Sequence, residues 1–128
     1  MKKYIIFLIL FFLCFPVFSQ NITDSNAIRT IVGEAGNQGK NGMIAVGNVI
    51  RTRKNLKGFY GFKNPIADKQ PKWVWIMAEK AWAESKTNNL VKGATHFENV
   101  KAFGKPYWAK DMAETVTIKD HTFFKKRN

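Results

Sequence analysis

The sequence has 128 residues, 21 of them Lys or Arg against 9 Asp or Glu, a formal net charge of +12, and one cysteine. That length holds one domain with a modest core rather than two, and a lone cysteine excludes both a disulfide scaffold and a thiolate metal site. The charge favours anionic partners, but apart from Lys125, Lys126 and Arg127 the basic residues are scattered, with no helical basic stripe or nucleic-acid motif, so nucleic acid is not an expected partner.

The chain opens as a secretory signal does. Lys2 and Lys3 form a positive start, and Tyr4 to Phe18 is an apolar run interrupted only by Pro16. The run falls short of the roughly 20 residues of a membrane span. Residues 1–19 are therefore expected to be a signal peptide cut after Ser19, leaving 109 of the 128 residues as a mature domain over 20–128. Cys14 leaves with the signal. Without Lys2 and Lys3 the mature chain keeps 19 basic residues against 9 acidic ones, a net charge of +10. The expected location is secreted or periplasmic, in the cell envelope, as a monomer that meets the membrane only through the uncleaved signal. The nearest polyanions there are wall polymers and anionic headgroups.

After a polar lead-in, Asp24 or Ser25 is expected to cap a first helix, in which Ala27, Ile28, Ile31, Val32 and Ala35 recur at helical spacing. At about 100° per residue, Glu34 falls beside Ala27 and Thr30, at the edge of the apolar arc. Gly36 to Gly39 reads as a turn. A second helix is predicted over about Asn41–Arg53. It is apolar on nearly every side from Met43 to Ile50, the mark of a buried helix. Gly47 there suits close helix packing, and Asn48 reads either as a satisfied core amide or as a cleft-lining residue.

Leu56 to Lys72 is a loop of Gly, Lys, Pro and aromatics, of a length that is usually either functional or disordered. A third helix is predicted to start after Pro71 and run to about Lys86, with Trp75, Ala78 and Trp82 on one core-facing side. Gly93 to Pro106 reads as irregular with short extended pieces. Glu114 to Lys125 alternates as a strand pair about a turn at Lys119-Asp120. The predicted fold class is α+β, mostly helical, with a small C-terminal β-hairpin.

Nine carboxylates are available for chemistry. Asp24 reads as a cap, and Glu79 and Glu84 as solvated on a Lys-rich helix. Glu34 and Glu98 fall in segments that look like site loops, with Asp111 and Asp120 as weaker candidates. A carboxyl held against a dry core keeps its proton to higher pH and becomes a donor near neutrality, which favours Glu34 as a general acid. No nucleophile elbow is present. His96, His121 and Glu98 supply three potential zinc ligands, but their spacing matches no zinc motif, so neither metal nor cofactor is expected.

The Gly33-Glu34-Ala35 element, the helix over Gly42–Val49 and Arg53 resemble the cell wall hydrolase family typified by the spore-cortex-lytic enzyme SleB. A second block is similar to the C-terminal half of that family in order and spacing: Gly93-Ala94-Thr95-His96-Phe97, then Pro106-Tyr107-Trp108-Ala109, then His121-Thr122-Phe123-Phe124. The resemblance covers about residues 27–125. It implies a lysozyme-like fold related to lytic transglycosylases, a peptidoglycan substrate, and Glu34 as the catalytic acid. Thr52 stands where the family usually has asparagine, and Phe97 where it usually has tyrosine, which removes a hydroxyl at that position.

On this reading the glycan lies between the first helix and the Gly93–Trp108 segment, with Thr95, His96, Phe97, Glu98, Tyr107, Trp108 and His121 as substrate-binding residues. Core packing is the competing role for Trp108. Two routes stay open after protonation of the bond between N-acetylmuramic acid and N-acetylglucosamine: closure of a 1,6-anhydro ring, which needs no second carboxylate, or a muramidase route with Glu98 or Asp111 across the cleft. The rivals are an amidase cutting the muramoyl–peptide bond and a non-catalytic cationic wall-binding protein.

Overall fold

A computed structural model describes residues 22–128. The expected signal peptide, residues 1–19, lies outside the described residues. Among these, no helix is long and apolar enough to cross a membrane.

Three helices, α1 (Asp24–Ala35), α2 (Gly39–Arg53) and α3 (Lys72–Glu84), pack against one another. The cap of α1 is Thr23, one residue before the expected Asp24 or Ser25; its hydroxyl accepts from the Asn26 N–H at 3.2 Å. Asp24 is thereby free for another task, and its carboxylate accepts the indole N–H of Trp82 at 2.8 Å, tying α1 to α3. The α2 helix starts two residues earlier than expected and is buried without a break from Gly42 to Ile50. It stops at Lys54, which takes a left-handed conformation and returns its N–H to the Ile50 carbonyl.

The contact between α2 and α3 explains two residues of the central helix. A Cβ on Gly47 would stand 2.8 Å from Ser85, so only glycine lets α3 come this close. Asn48 beside it is a satisfied core amide. Its Nδ2 donates to the Ser85 and Asn88 carbonyls, each at 3.0 Å, and its Oδ1 accepts from the Leu90 N–H at 2.9 Å. Arg51 lies over the Trp82 ring at 3.6 Å and donates to Ser85 Oγ and the Trp82 carbonyl. Trp82 is a core residue, as expected. The third helix starts directly after Pro71, as expected, and ends at Glu84, two residues short of Lys86.

The loop between α2 and α3 holds two 3-10 turns, Gly61–Lys63 and Pro65–Lys69. After α3 come β1 (His96–Glu98), a single helical turn α4 (Val100–Phe103), a 3-10 turn at Tyr107–Asp111, then β2 (Met112–Ile118) and β3 (His121–Lys126). The expected hairpin is β2 with β3, turning at Lys119-Asp120, but it is only part of the sheet. The order is β1-β3-β2, all antiparallel, with Phe97 opposite Phe123. As the central strand, β3 buries His121, Thr122, Phe123 and Phe124. A three-residue strand such as β1 is too short to show an alternation of its own, and its pairing comes from the free edge of β3.

The sheet is fixed to the helices at one polar point. Gln38, buried in the α1–α2 turn, accepts the Asp120 backbone N–H and donates to the Asp120 carboxylate, both at 3.0 Å.

Asn48→Ala should lose stability by about 1–3 kcal/mol, since it strands the buried Ser85 carbonyl and the Leu90 N–H. Urea denaturation measures the loss; a change within about 0.5 kcal/mol, as at a plain surface site, contradicts it.

Candidate active site

Glu34 is the penultimate residue of α1, where the helix meets the Gly61 turn. The two backbones touch. A Cβ on Gly33 would lie 2.1 Å from the Gly61 carbonyl oxygen, and one on Gly61 would lie 2.6 Å from Glu34 Cγ and 2.7 Å from the Thr30 carbonyl. Neither position admits a side chain. The result is a hydrogen bond of 2.7 Å from the Gly61 N–H to Glu34 Oε1, with the Tyr60 N–H also directed at the carboxyl. Arg29 clamps the same loop from outside: its guanidinium donates to the Phe62 carbonyl at 2.8 Å and forks onto Asp68 at 2.6 and 3.0 Å.

Glu34 is half-buried in the wall of a cleft of about 320 Å³. Burial pushes its pKa above the ordinary glutamate value; the Gly61 and Tyr60 N–H groups pull the other way, and the charge of Glu98 adds to the rise. The carboxyl thus keeps its proton to higher pH than a solvated glutamate, yet has two donors waiting for its anion.

Five of the residues expected at the site line this cleft together: Glu34, His96, Phe97, Glu98 and His121. His121 is buried with its ring 4.9 Å from Phe97, and its Nδ1 has no hydrogen-bond partner among the described residues. A buried imidazolium would strand an N–H donor there. Burial pushes the His121 pKa down, against the upward pull of Asp120 and Glu98. His96 is also pushed down, by burial first and by the Arg53 charge second. Both shifts favour the neutral imidazole.

Three expected residues stand outside the lining. Thr95 is behind His96, its Oγ1 2.8 Å from His96 Nδ1, and its N–H extends the sheet to the Phe124 carbonyl. Trp108 is half-buried between His96, at 5.2 Å, and the edge of Phe124, at 5.5 Å. Tyr107 is 91% exposed. Asp111 is exposed and also away from the cleft, whereas Asp120 lines it. Among the described residues, no group of three or more His, Cys, Asp or Glu side chains is arranged to hold a metal ion.

The expected site residues leave out the loop wall, Gly58, Phe59, Tyr60 and the Gly61 N–H; Arg53, already part of the family resemblance, joins it with its guanidinium 4.7 Å over Phe59. The available signal was the glycine–aromatic alternation Gly58-Phe59-Tyr60-Gly61 in a loop too long for a mere connection.

No protein-family model matches the chain, and no curated protein is detectably similar to it. Two solved structures share its architecture. One is the catalytic domain of the Bacillus cereus SleB protein, with a TM-score of 0.59 and 19% identity over 79% of this chain and 91% of that one. The other is the catalytic domain of the germination-specific lytic transglycosylase SleB from Bacillus anthracis, with a TM-score of 0.60 and 22% identity over 86% and 98%. The chain therefore has the fold of these domains, the lysozyme-like α+β architecture expected from the sequence.

Gly61→Ala should cost about 1–3 kcal/mol, because the new methyl displaces Glu34 or the Thr30 carbonyl; thermal and urea unfolding measure it. A second test concerns Glu34 itself. Its raised pKa means the unfolded chain surrenders this proton first, so the group subtracts stability as pH climbs from the ordinary glutamate range through the folded value. Glu34→Gln carries no such penalty. Its Tm relative to wild type should rise across that window and be level below it; a difference independent of pH would remove the sheltered carboxyl.

Proposed function

We propose that this protein cleaves the glycan strands of peptidoglycan between N-acetylmuramic acid and N-acetylglucosamine, with Glu34 as general acid and then general base in a lytic transglycosylase route. The observation that carries the reading is the position of Glu34: a half-buried carboxyl in the wall of a cleft, its pKa raised by burial, with the Gly61 N–H bonded to it. The shared fold with a germination-specific lytic transglycosylase supports it. Action on wall polymer implies a site outside the cytoplasm, in keeping with the signal-like residues 1–19, and a surface of strong positive charge suits an anionic wall.

The chemistry runs on one group. Protonated Glu34 donates to the glycosidic oxygen, the bond from that oxygen to C1 of the muramic acid breaks, and the ring takes on oxocarbenium character. The carboxylate left behind is held by the Gly61 N–H, with the Tyr60 N–H also directed at it, which offsets the cost of its charge in a half-dry wall. It then removes the proton from the 6-hydroxyl of the same sugar, O6 bonds to C1, and a 1,6-anhydro ring closes. The acid is regenerated and no water is consumed.

A second reading has one observation in its favour. Glu98 lines the same cleft, so a carboxylate is available to activate water in a muramidase. Asp111, exposed and away from the cleft, has no such support.

Mass spectrometry of digested peptidoglycan separates the routes: anhydro-muramic ends are expected, and reducing ends instead would assign the hydrolytic one. Glu34→Gln should lose about 10²–10⁴-fold in rate. Wild-type activity should fall as pH rises above the raised Glu34 pKa, since the donor must start protonated. A Glu34→Gln variant with full lytic activity would overturn the proposal.

A further inference from the structure

Two large aromatic side chains in the cleft have no role in the chemistry above. Tyr60 is 85% exposed and Phe103 is 80% exposed, yet both line the same cleft as Glu34. We infer that Tyr60 and Phe103 form an aromatic clamp that stacks on the apolar faces of the sugars flanking the cleaved bond. The assignment deepens the glycan-cleaving reading and rests on it.

Both rings are mounted on backbone that is held in place. Tyr60 comes just before Gly61, and its own N–H is directed at Glu34, so its main chain is fixed while its side chain stays free. Phe103 ends α4, a turn that contributes no buried residue to the domain. That turn is nevertheless closed on every side. The Asn99 side chain accepts the Ala102 N–H at 3.0 Å, the Asn99 carbonyl accepts the Phe103 N–H at 3.0 Å, the Gly104 N–H returns to the Val100 carbonyl at 2.8 Å, and Glu98 accepts the Asn99 N–H at 2.9 Å. A self-capped turn that adds nothing to the core, hooked onto a cleft carboxylate, serves as a pedestal for its terminal ring.

The chemistry of the occupant follows. The rest of the lining is largely polar, with Glu34, Asn37, Arg53, Glu98 and Asn99 offering hydrogen-bond partners. A ligand that pairs hydroxyls and amides with such groups while presenting flat C–H faces to exposed rings is a saccharide. Preset rings on fixed backbone bind such faces at low entropic cost.

The test uses the Glu34→Gln protein, which can hold an uncut glycan, and calorimetric titration with a soluble tetrasaccharide from peptidoglycan. Tyr60→Ala and Phe103→Ala should each weaken binding about tenfold, equivalent to about 1.4 kcal/mol. Tyr60→Phe, which keeps the ring, should bind as the parent does. Trp73→Ala, which removes a ring 61% exposed on α3 and outside the cleft, should have no effect. In the active protein the two alanine changes should raise KM while kcat holds. Both positions are exposed, so unfolding curves should match the parent. Alanine variants within twofold of the parent, or a parent that binds no glycan, overturn the clamp. Failure of the catalytic reading looks different: wild type would release no sugar fragments while the alanine changes still weakened glycan binding. Unchanged KM in a lytically active double variant would sink the clamp and leave the catalytic reading standing.

Discussion

The contact of the Gly33 and Gly61 backbones sets the geometry on which the site depends. Between most helices and loops a layer of side chains keeps main chains apart. Here both side chains are missing, and an added Cβ on Gly33 would collide with Gly61 at 2.1 Å. The loop is thereby pressed onto the last turn of α1, and its N–H groups reach the one carboxyl in that turn. Arg29, bonded to the Phe62 carbonyl and Asp68, holds the loop in this position from the solvent side. The closeness has a second effect: it shelters Glu34 from water. The same contact therefore supplies the burial that favours the protonated form and the donors that accommodate the anion, the two states an acid that later acts as a base must visit.

The opposite wall is aligned to the same end of α1 by a different device. The buried Gln38 amide and Asp120 exchange two hydrogen bonds, which places the β2–β3 turn against the α1–α2 turn. Through β3 this fixes β1, and through β1 it fixes His96, Phe97 and Glu98. His121 lies on the Phe97 ring at 4.9 Å, and burial pushes its pKa down. The pKa of both histidines lining the cleft is lowered, and the charge of Glu98 adds to the rise at Glu34.

Much of the fold was legible because it depends on local patterns. The unbroken apolar run from Met43 to Ile50 requires a buried helix whatever surrounds it, and α2 is one. Gly47 within it announced the close approach of another helix, and the Lys119-Asp120 turn announced the hairpin. The misreadings lie where two segments compete for one role. Thr23, Asp24 and Ser25 are all good caps, and Thr23 takes the position while Asp24 binds Trp82 in α3. Asn48 had two plausible roles, and its three bonding partners, in Ser85, Asn88 and Leu90, lie about forty positions away.

The sequence alone determined the helices, the hairpin, and Glu34 as the carboxyl to consider, because those depend on periodicity and on residue types within a few positions of one another. Tertiary structure decided the rest. It alone brought Gly61 to Glu34 across 27 positions, set Asp120 on Gln38 across 82, and left Tyr60 and Phe103 bare beside the cleft while drawing Trp108 against His96 and Phe124. The physical reason is that a carboxyl's proton affinity and a ring's exposure are properties of the surroundings. Those surroundings come from distant segments whose approach is set by packing, which no local pattern encodes.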